Sequence, residues 1–150
     1  MINEPSTTVP SGNYRDLFAM KLHYNSGASS IVSGTENLYN DNISAMQWQV
    51  LGEESDIRAY AFDYDNQNRL KQALYRENSG SGWNTVSASY DLINIGYDKS
   101  GNITELLRMG KTGASSFGLM DGLSYTYSGN RLMKVDDSGL KNLFGRCSAV

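Results

Sequence analysis

Tyr97-Asp98-Lys99-Ser100-Gly101-Asn102-Ile103 decides the reading of this chain, because the phrase recurs on either side of itself. Tyr64-Asp65-Asn66-Gln67-Asn68-Arg69-Leu70 precedes it, and Tyr127-Ser128-Gly129-Asn130-Arg131-Leu132 follows it. A worn copy stands at Tyr39-Asn40-Asp41-Asn42-Ile43. The tyrosines that open the three clear copies are 33 (64 to 97) and 30 (97 to 127) residues apart. Self-similarity at near-constant spacing marks an array of like units that bury their faces against one another.

Each clear copy sits between alternating apolar residues. Tyr60, Phe62 and Tyr64 lead into the first, and Leu70, Leu74 and Tyr75 leave it. Ile93, Ile95 and Tyr97 lead into the second, with Ile103, Leu107 and Met109 after it. Leu123, Tyr125 and Tyr127 precede the third, and Leu132 and Val135 follow. Period-two alternation bounded by Asn, Asp, Gly and Ser reads as strand, turn, strand. Asp65 and Asp98 suit the first position of a type I turn, where the carboxylate bonds backbone further on. A residue of positive φ then closes a bulged hairpin: Gly101 at no steric cost, Asn68 as the usual substitute. The third copy is one residue shorter, so Ser128-Gly129 predicts a tighter hairpin. The motif residues from Tyr64 to Leu70, Tyr97 to Ile103 and Tyr127 to Leu132 are therefore read as turn determinants, with a structural role.

Outward from the repeats the pattern stays β. Phe18, Met20, Leu22 and Tyr24 alternate with Ala19, Lys21 and His23, which predicts a strand with His23 on its polar side. Met46, Trp48 and Val50 predict another, and Trp83 to Tyr90 a third. Asn25 to Gly34 reads as a small-residue turn, Asn40-Asp41 as a short hairpin, Gly52 to Asp56 as an acidic turn and Gly110 to Gly118 as a loop. No segment offers an amphipathic helix longer than two turns. The expectation is an all-β chain of about 8 to 10 antiparallel strands. Residues 1–13 form a lead-in loop, 14–137 the hairpin-repeat region, and 138–150 an irregular or truncated tail. A hairpin ladder has free edges that invite association, and no polar cap is visible at either end. The chain thus reads as an interior slice of a longer array, with a truncated gene product as the alternative.

Bulk properties narrow the function. The chain has 150 residues, 13 basic and 16 acidic, for a net charge of −3 and no basic run, which argues against a nucleic-acid partner. No apolar stretch approaches the length of a membrane span. Met1-Ile2-Asn3-Glu4-Pro5 shows no signal-peptide pattern. Cys147 is the only cysteine, so neither an internal disulfide nor a zinc cluster can form, and its tail position argues against a reactive thiol.

Motifs that could carry chemistry fail on their own terms. Gly110-Lys111-Thr112 would need a glycine at position 105 to wrap a phosphate, and that position is Glu105. Asp63-Tyr64-Asp65 opens like a calcium loop, yet its sixth and twelfth positions hold Asn68 and Leu74. His23, the single histidine, has no nucleophile placed beside it by any motif. Glu53 with Glu54, and Asp136 with Asp137, are neighbours that point to opposite faces of a strand and cannot converge on one glycosidic bond. Asn42-Ile43-Ser44 and Asn102-Ile103-Thr104 match a glycosylation acceptor, with Asn102 better spent on the turn. No cofactor or metal is expected. The aromatic set Trp48, Tyr60, Phe62, Tyr64, Trp83, Tyr90, Tyr97, Tyr125 and Tyr127 supports two readings, cross-strand packing first and a carbohydrate platform second.

Tyr-Asp-x-x-Gly-Asn-Ile and its Arg-Leu variant resemble the YD repeat of the RHS/YD-repeat proteins. Phe117-Gly-Leu-Met-Asp-Gly-Leu-Ser-Tyr-Thr-Tyr-Ser-Gly-Asn-Arg-Leu132, Asp16-Leu-Phe-Ala-Met-Lys-Leu-His-Tyr24 and Asn42-Ile-Ser-Ala-Met-Gln-Trp48 resemble the repeats of Bacteroidetes members. The likeness spans roughly residues 12 to 137. It implies a segment of a spiralling β-sheet shell, non-enzymatic, that in the family encloses a C-terminal toxin, with secretion or the cell surface as its location. Implied partners are neighbouring repeats and an enclosed toxin domain of a longer chain. Both prolines lie before residue 11, so the Asp-Pro signature of the family's self-cleaving core is absent and cleavage does not carry over. The alternative is a surface adhesin or carbohydrate-binding module that uses exposed aromatics.

Overall fold

The computed structural model describes residues 18–33, 35–50, 56–84 and 89–139. The all-β expectation holds: the described residues form eight strands and one helical turn. The strands are β1 (Phe18–His23), β2 (Ala45–Val50), β3 (Ile57–Tyr64), β4 (Leu70–Asn78), β5 (Leu92–Tyr97), β6 (Ile103–Lys111), β7 (Phe117–Ser128) and β8 (Arg131–Asp137). The helical turn, α1 (Ala28–Ile31), lies between β1 and β2. The chain divides into two compact units, Met1–Ser87 and Ala88–Val150.

In the first unit β1, β2, β3 and β4 follow one another as antiparallel neighbours. The register sets Met20 opposite Trp48, Met46 opposite Tyr60 and Tyr60 opposite Tyr75, so the large side chains share one face. The other face carries Ala19, His23, Ala45, Ala59, Ala61 and Leu74. That small-residue face is where the core forms. Ala28, Ile31 and Val32 pack on Ala45, Ala59 and Ala61, all buried, with Leu74 and Trp83 closing against them. The small alanines of the sheet leave room for Ala28 and Ile31 of the helical turn to be buried against them.

This packing overturns the side assignment of β1. His23 is buried, whereas Phe18, Leu22 and Tyr24 are exposed. His23 Nδ1 meets the Ser26 carbonyl at 3.1 Å, which satisfies the ring nitrogen as the chain bends toward α1. The presumed turn at Asn25 to Gly34 therefore holds a helical turn, with Gly27 at φ 91 opening it. A Cβ on Gly27 would run into the His23 ring.

Other local expectations shift too. Asn40-Asp41 makes a bend but no hairpin, since residues 35–44 carry no strand. Trp83 forms only an isolated bridge to Asn78, Tyr90 sits in a bend, and residues 85–88 of that expected strand lie outside the described set. The Gly110–Gly118 loop is shorter than its composition implied, because Gly110 pairs with Gly118 and Lys111 with Phe117. The lead-in loop 1–13, most of the Gly52–Asp56 turn, Cys147 and the tail beyond Gly139 also lie outside the described residues.

In the second unit β5, β6, β7 and β8 likewise run as an antiparallel meander. Ile95 is its buried large apolar residue, with Asp91 buried beside the start of β5. Arg108 and Asp121 face each other across β6 and β7 and form an ion pair, Nε to Oδ2 at 2.5 Å.

Candidate functional site

Two of the repeated turns match bond for bond. Asp65 N–H donates to the Arg69 carbonyl at 2.9 Å, as Asp98 N–H does to Asn102 at 2.9 Å. Asn68 N–H returns to the Asp65 carbonyl, and Gly101 N–H to that of Asp98. Asp65 Oδ1 accepts Gln67 N–H at 2.8 Å and Arg69 N–H at 3.0 Å. Asp98 Oδ1 accepts Ser100 N–H at 2.8 Å and Asn102 N–H at 2.9 Å. The second carboxylate oxygen takes the side chain two positions past the turn's middle: Arg69 Nε at 2.7 Å in one, Asn102 Nδ2 at 2.9 Å in the other.

These bonds to the ionised form hold both carboxyls below the ordinary aspartate range, the Arg69 side chain leading at Asp65 and the Asn102 amide at Asp98. Asn68 at φ 59 and Gly101 at φ 87 adopt the left-handed conformation expected of them. The third copy closes as the tighter turn: Ser128 pairs with Arg131 across Gly129-Asn130, with Gly129 at φ 61. Arg131 and Leu132 then enter an exposed β8.

Between successive turns lies a second layer of bonds. Tyr64 Oη donates to the Ile43 carbonyl at 2.8 Å, and Tyr127 Oη donates to the Ile103 carbonyl at 2.9 Å. In each case the opening tyrosine of one copy clasps the residue that closes the copy before it. Burial raises the Tyr64 hydroxyl pKa, which keeps it protonated as a donor. Amides bridge the same junctions: Asn40 Nδ2 and Asn42 Nδ2 reach Asn68 Oδ1 at 2.7 and 3.3 Å, and Asn102 Nδ2 reaches Asn130 Oδ1 at 3.2 Å. The worn copy at Tyr39 keeps this accepting end intact, with Asp41 at φ 64 ahead of Asn42 and Ile43. Sequence reasoning placed these tyrosines on strands and missed their hydroxyl role. The available signal was the pairing of each Tyr with an apolar residue one repeat back, 21 and 24 positions earlier.

The chain matches no protein-family model, no curated protein and no solved structure.

Two other features could bind a ligand. The aromatic face of the first unit stacks Trp48 on Tyr60 at 5.6 Å and Tyr60 on Phe62 at 6.3 Å, with Tyr75 tilted against Tyr60 at 5.4 Å. Trp48, Tyr60 and Tyr75 pack on one another across strands and Phe62 packs on Tyr60 along β3, while Trp83 turns instead toward the alanine core. In the second unit Tyr90 meets Phe117 edge to face at 5.3 Å. A shallow groove of about 310 Å³ lies between residues 35–40 and the β3–β4 turn, lined by Glu36, Phe62, Asp63, Asn68 and Gln72 among others. Asp63 is engaged by Lys71 Nζ at 3.3 Å and Asn68 by the amide bridges. Among the described residues no three of His, Cys, Asp and Glu cluster as metal ligands, and no helix is long and apolar enough to cross a membrane.

Proposed function

We propose that this chain is a non-enzymatic wall segment of the RHS/YD-repeat type, whose hairpins stack into a β-sheet shell around a toxin or other effector domain of a longer, exported protein. The observation that carries the reading is the clasp of Tyr64 on Ile43 and of Tyr127 on Ile103, each joining one copy to the copy before it within its own unit. The Asp carboxylates of the two longer turns are spent on their own turns, and the Tyr64 and Tyr127 hydroxyls on the preceding copy, which supports a building role for the motif over a catalytic one. A unit whose bonds point to its own predecessor can be repeated without limit, which is what a wall requires.

The test uses the native reading frame that contains this chain. Electron microscopy of the purified product is expected to show a hollow particle, with further Tyr-Asp copies flanking residues 14–137. A compact particle without a cavity, or flanking sequence without the repeat, sinks the proposal. The aromatic face keeps a second reading in play, an adhesin or carbohydrate-binding sheet, because Phe18 and Val50 stand exposed on the same side as Trp48. A glycan array probed with the chain and with a Trp48→Ala variant separates the two. Binding lost in that variant would favour the carbohydrate reading.

A further inference from the structure

The sheet face beneath α1 changes character along its length. Ala59 and Ala61 of β3 floor the dry cluster that holds Ala28 and Ile31. Ala61 stands opposite Leu74 on β4, and two residues further along the same face Asp63 stands opposite Gln72. The floor thus turns from apolar to polar where α1 has ended. Thr35, Glu36, Leu38 and Asn40, which follow α1, line a groove of about 310 Å³ together with this pair and Asn68. That volume lies at the small end for ligand sites, with room for one or two rings rather than a polymer.

The polar groups of the groove keep unused hydrogen-bonding capacity. Among the described residues the Gln72 amide and the Glu36 carboxylate have no hydrogen-bond partner. Lys71 takes Asp63 Oδ2 at 3.3 Å and leaves Oδ1. Asn40 and Asn42 take Asn68 Oδ1 and leave the hydrogens of its Nδ2. Amide donors from Gln72 and Asn68 therefore share one groove with carboxylate acceptors from Glu36 and Asp63.

This mixture selects among ligands. An anion would meet Glu36 and Asp63 with no Lys or Arg among the lining residues to balance them. A simple cation would leave the amide donors without an acceptor, and an apolar ligand would leave every polar group unsatisfied, each at a cost. A hydroxyl gives a hydrogen bond to a carboxylate and receives one from an amide through the same oxygen. We infer that the groove is a saccharide site, which holds the vicinal hydroxyls of a neutral mono- or disaccharide between Glu36 and Asp63 as acceptors and Gln72 and Asn68 as donors. This site does not rest on the wall reading. It also differs from a platform built on Trp48, which lies on the opposite face of the sheet from Ala61 and Asp63.

Saturation-transfer NMR on the full chain tests the inference, with maltose, cellobiose, lactose and N,N′-diacetylchitobiose as probes. Transfer to at least one of them is expected. Its Kd should weaken about tenfold in Gln72→Ala and in Glu36→Ala, each losing about one hydrogen bond to the sugar. Trp48→Ala should bind as the parent does, and binding should be equal at low and high salt because the ligand is neutral. Neither Gln72 nor Glu36 is buried, so both variants keep the fold, which circular dichroism checks. No transfer to any probe, parent-like binding in both groove variants, or binding lost in Trp48→Ala would overturn the site. Stronger transfer to methylguanidinium or to a blocked trialanine peptide than to every saccharide would overturn the ligand class.

Discussion

The first unit and the second are built on the same turn, yet they bury very different things. Hairpin β3–β4 closes through Asp65 and hairpin β5–β6 through Asp98 with nearly identical bonds. Beneath the first, α1 fills the alanine face and makes a dry cluster of Ala28, Ile31, Val32, Ala45, Ala59 and Ala61. The second unit has Ile95 as its buried large apolar residue, and its last strand is exposed along its whole length. A repeat thus specifies the path of the backbone but not the depth of the core. Depth depends on what the intervening segments lay over the sheet, and only the first unit has a described segment that does so.

Breaking the filled face should have the largest effect. Ile31→Ala removes the main apolar side chain of α1 and is expected to cost about 3 kcal/mol. Hydrogen exchange should accelerate in β2 and β3 while β6 and β7 keep their protection; equal loss in both units would contradict the contrast drawn above. The turns come next. Gly101→Val forces a β-branched residue to φ 87 in open space, so the cost of about 2 kcal/mol is one of backbone alone. Gly101→Asn should be far milder, because Asn68 holds the same conformation in the first unit. Chemical denaturation of the two variants measures both, and equal losses would argue against a backbone origin.

The clasps should matter less and equally. Tyr64→Phe and Tyr127→Phe each delete one hydroxyl donor to a carbonyl, at about 1 kcal/mol apiece. A large difference between them would mean that the junctions are not equivalent. The smallest effect concerns pH. Asp65 and Asp98 have folded values depressed below the ordinary value of about 3.9, so the unfolded chain binds more protons in that window. Their contribution is complete above that value and is lost as pH falls through the folded values. Melting curves between about pH 6 and about pH 2 should show this acid loss, reduced in Asp98→Asn, and an unchanged slope would remove the charged turn from the account.

The repeats and their turns were legible in the sequence because their causes are local. An Asp that can reach its own backbone, followed by Gly or Asn that tolerates positive φ, dictates a turn whatever surrounds it. The buried side of β1 was not legible. Alternation announces two faces without saying which is inside, and large residues are the natural guess. Here the rings of Trp48, Tyr60 and Phe62 shelter one another while the small residues admit a helical turn, so His23 ends up inside and Phe18 outside. The Tyr clasps escaped for a related reason, since a hydroxyl partner 21 or 24 residues away follows from sheet register rather than from spacing along one strand.

What Tyr97 to Ile103 and its relatives determined by themselves was hairpin geometry: turn type, positive-φ positions and the antiparallel sense of the strands they join. Tertiary structure alone decided which face of those strands became the interior and which hydroxyl met which carbonyl. The first set follows from dihedral preferences that each residue carries with it. The second follows from burial and pairing, which exist only once separate stretches of the chain lie side by side.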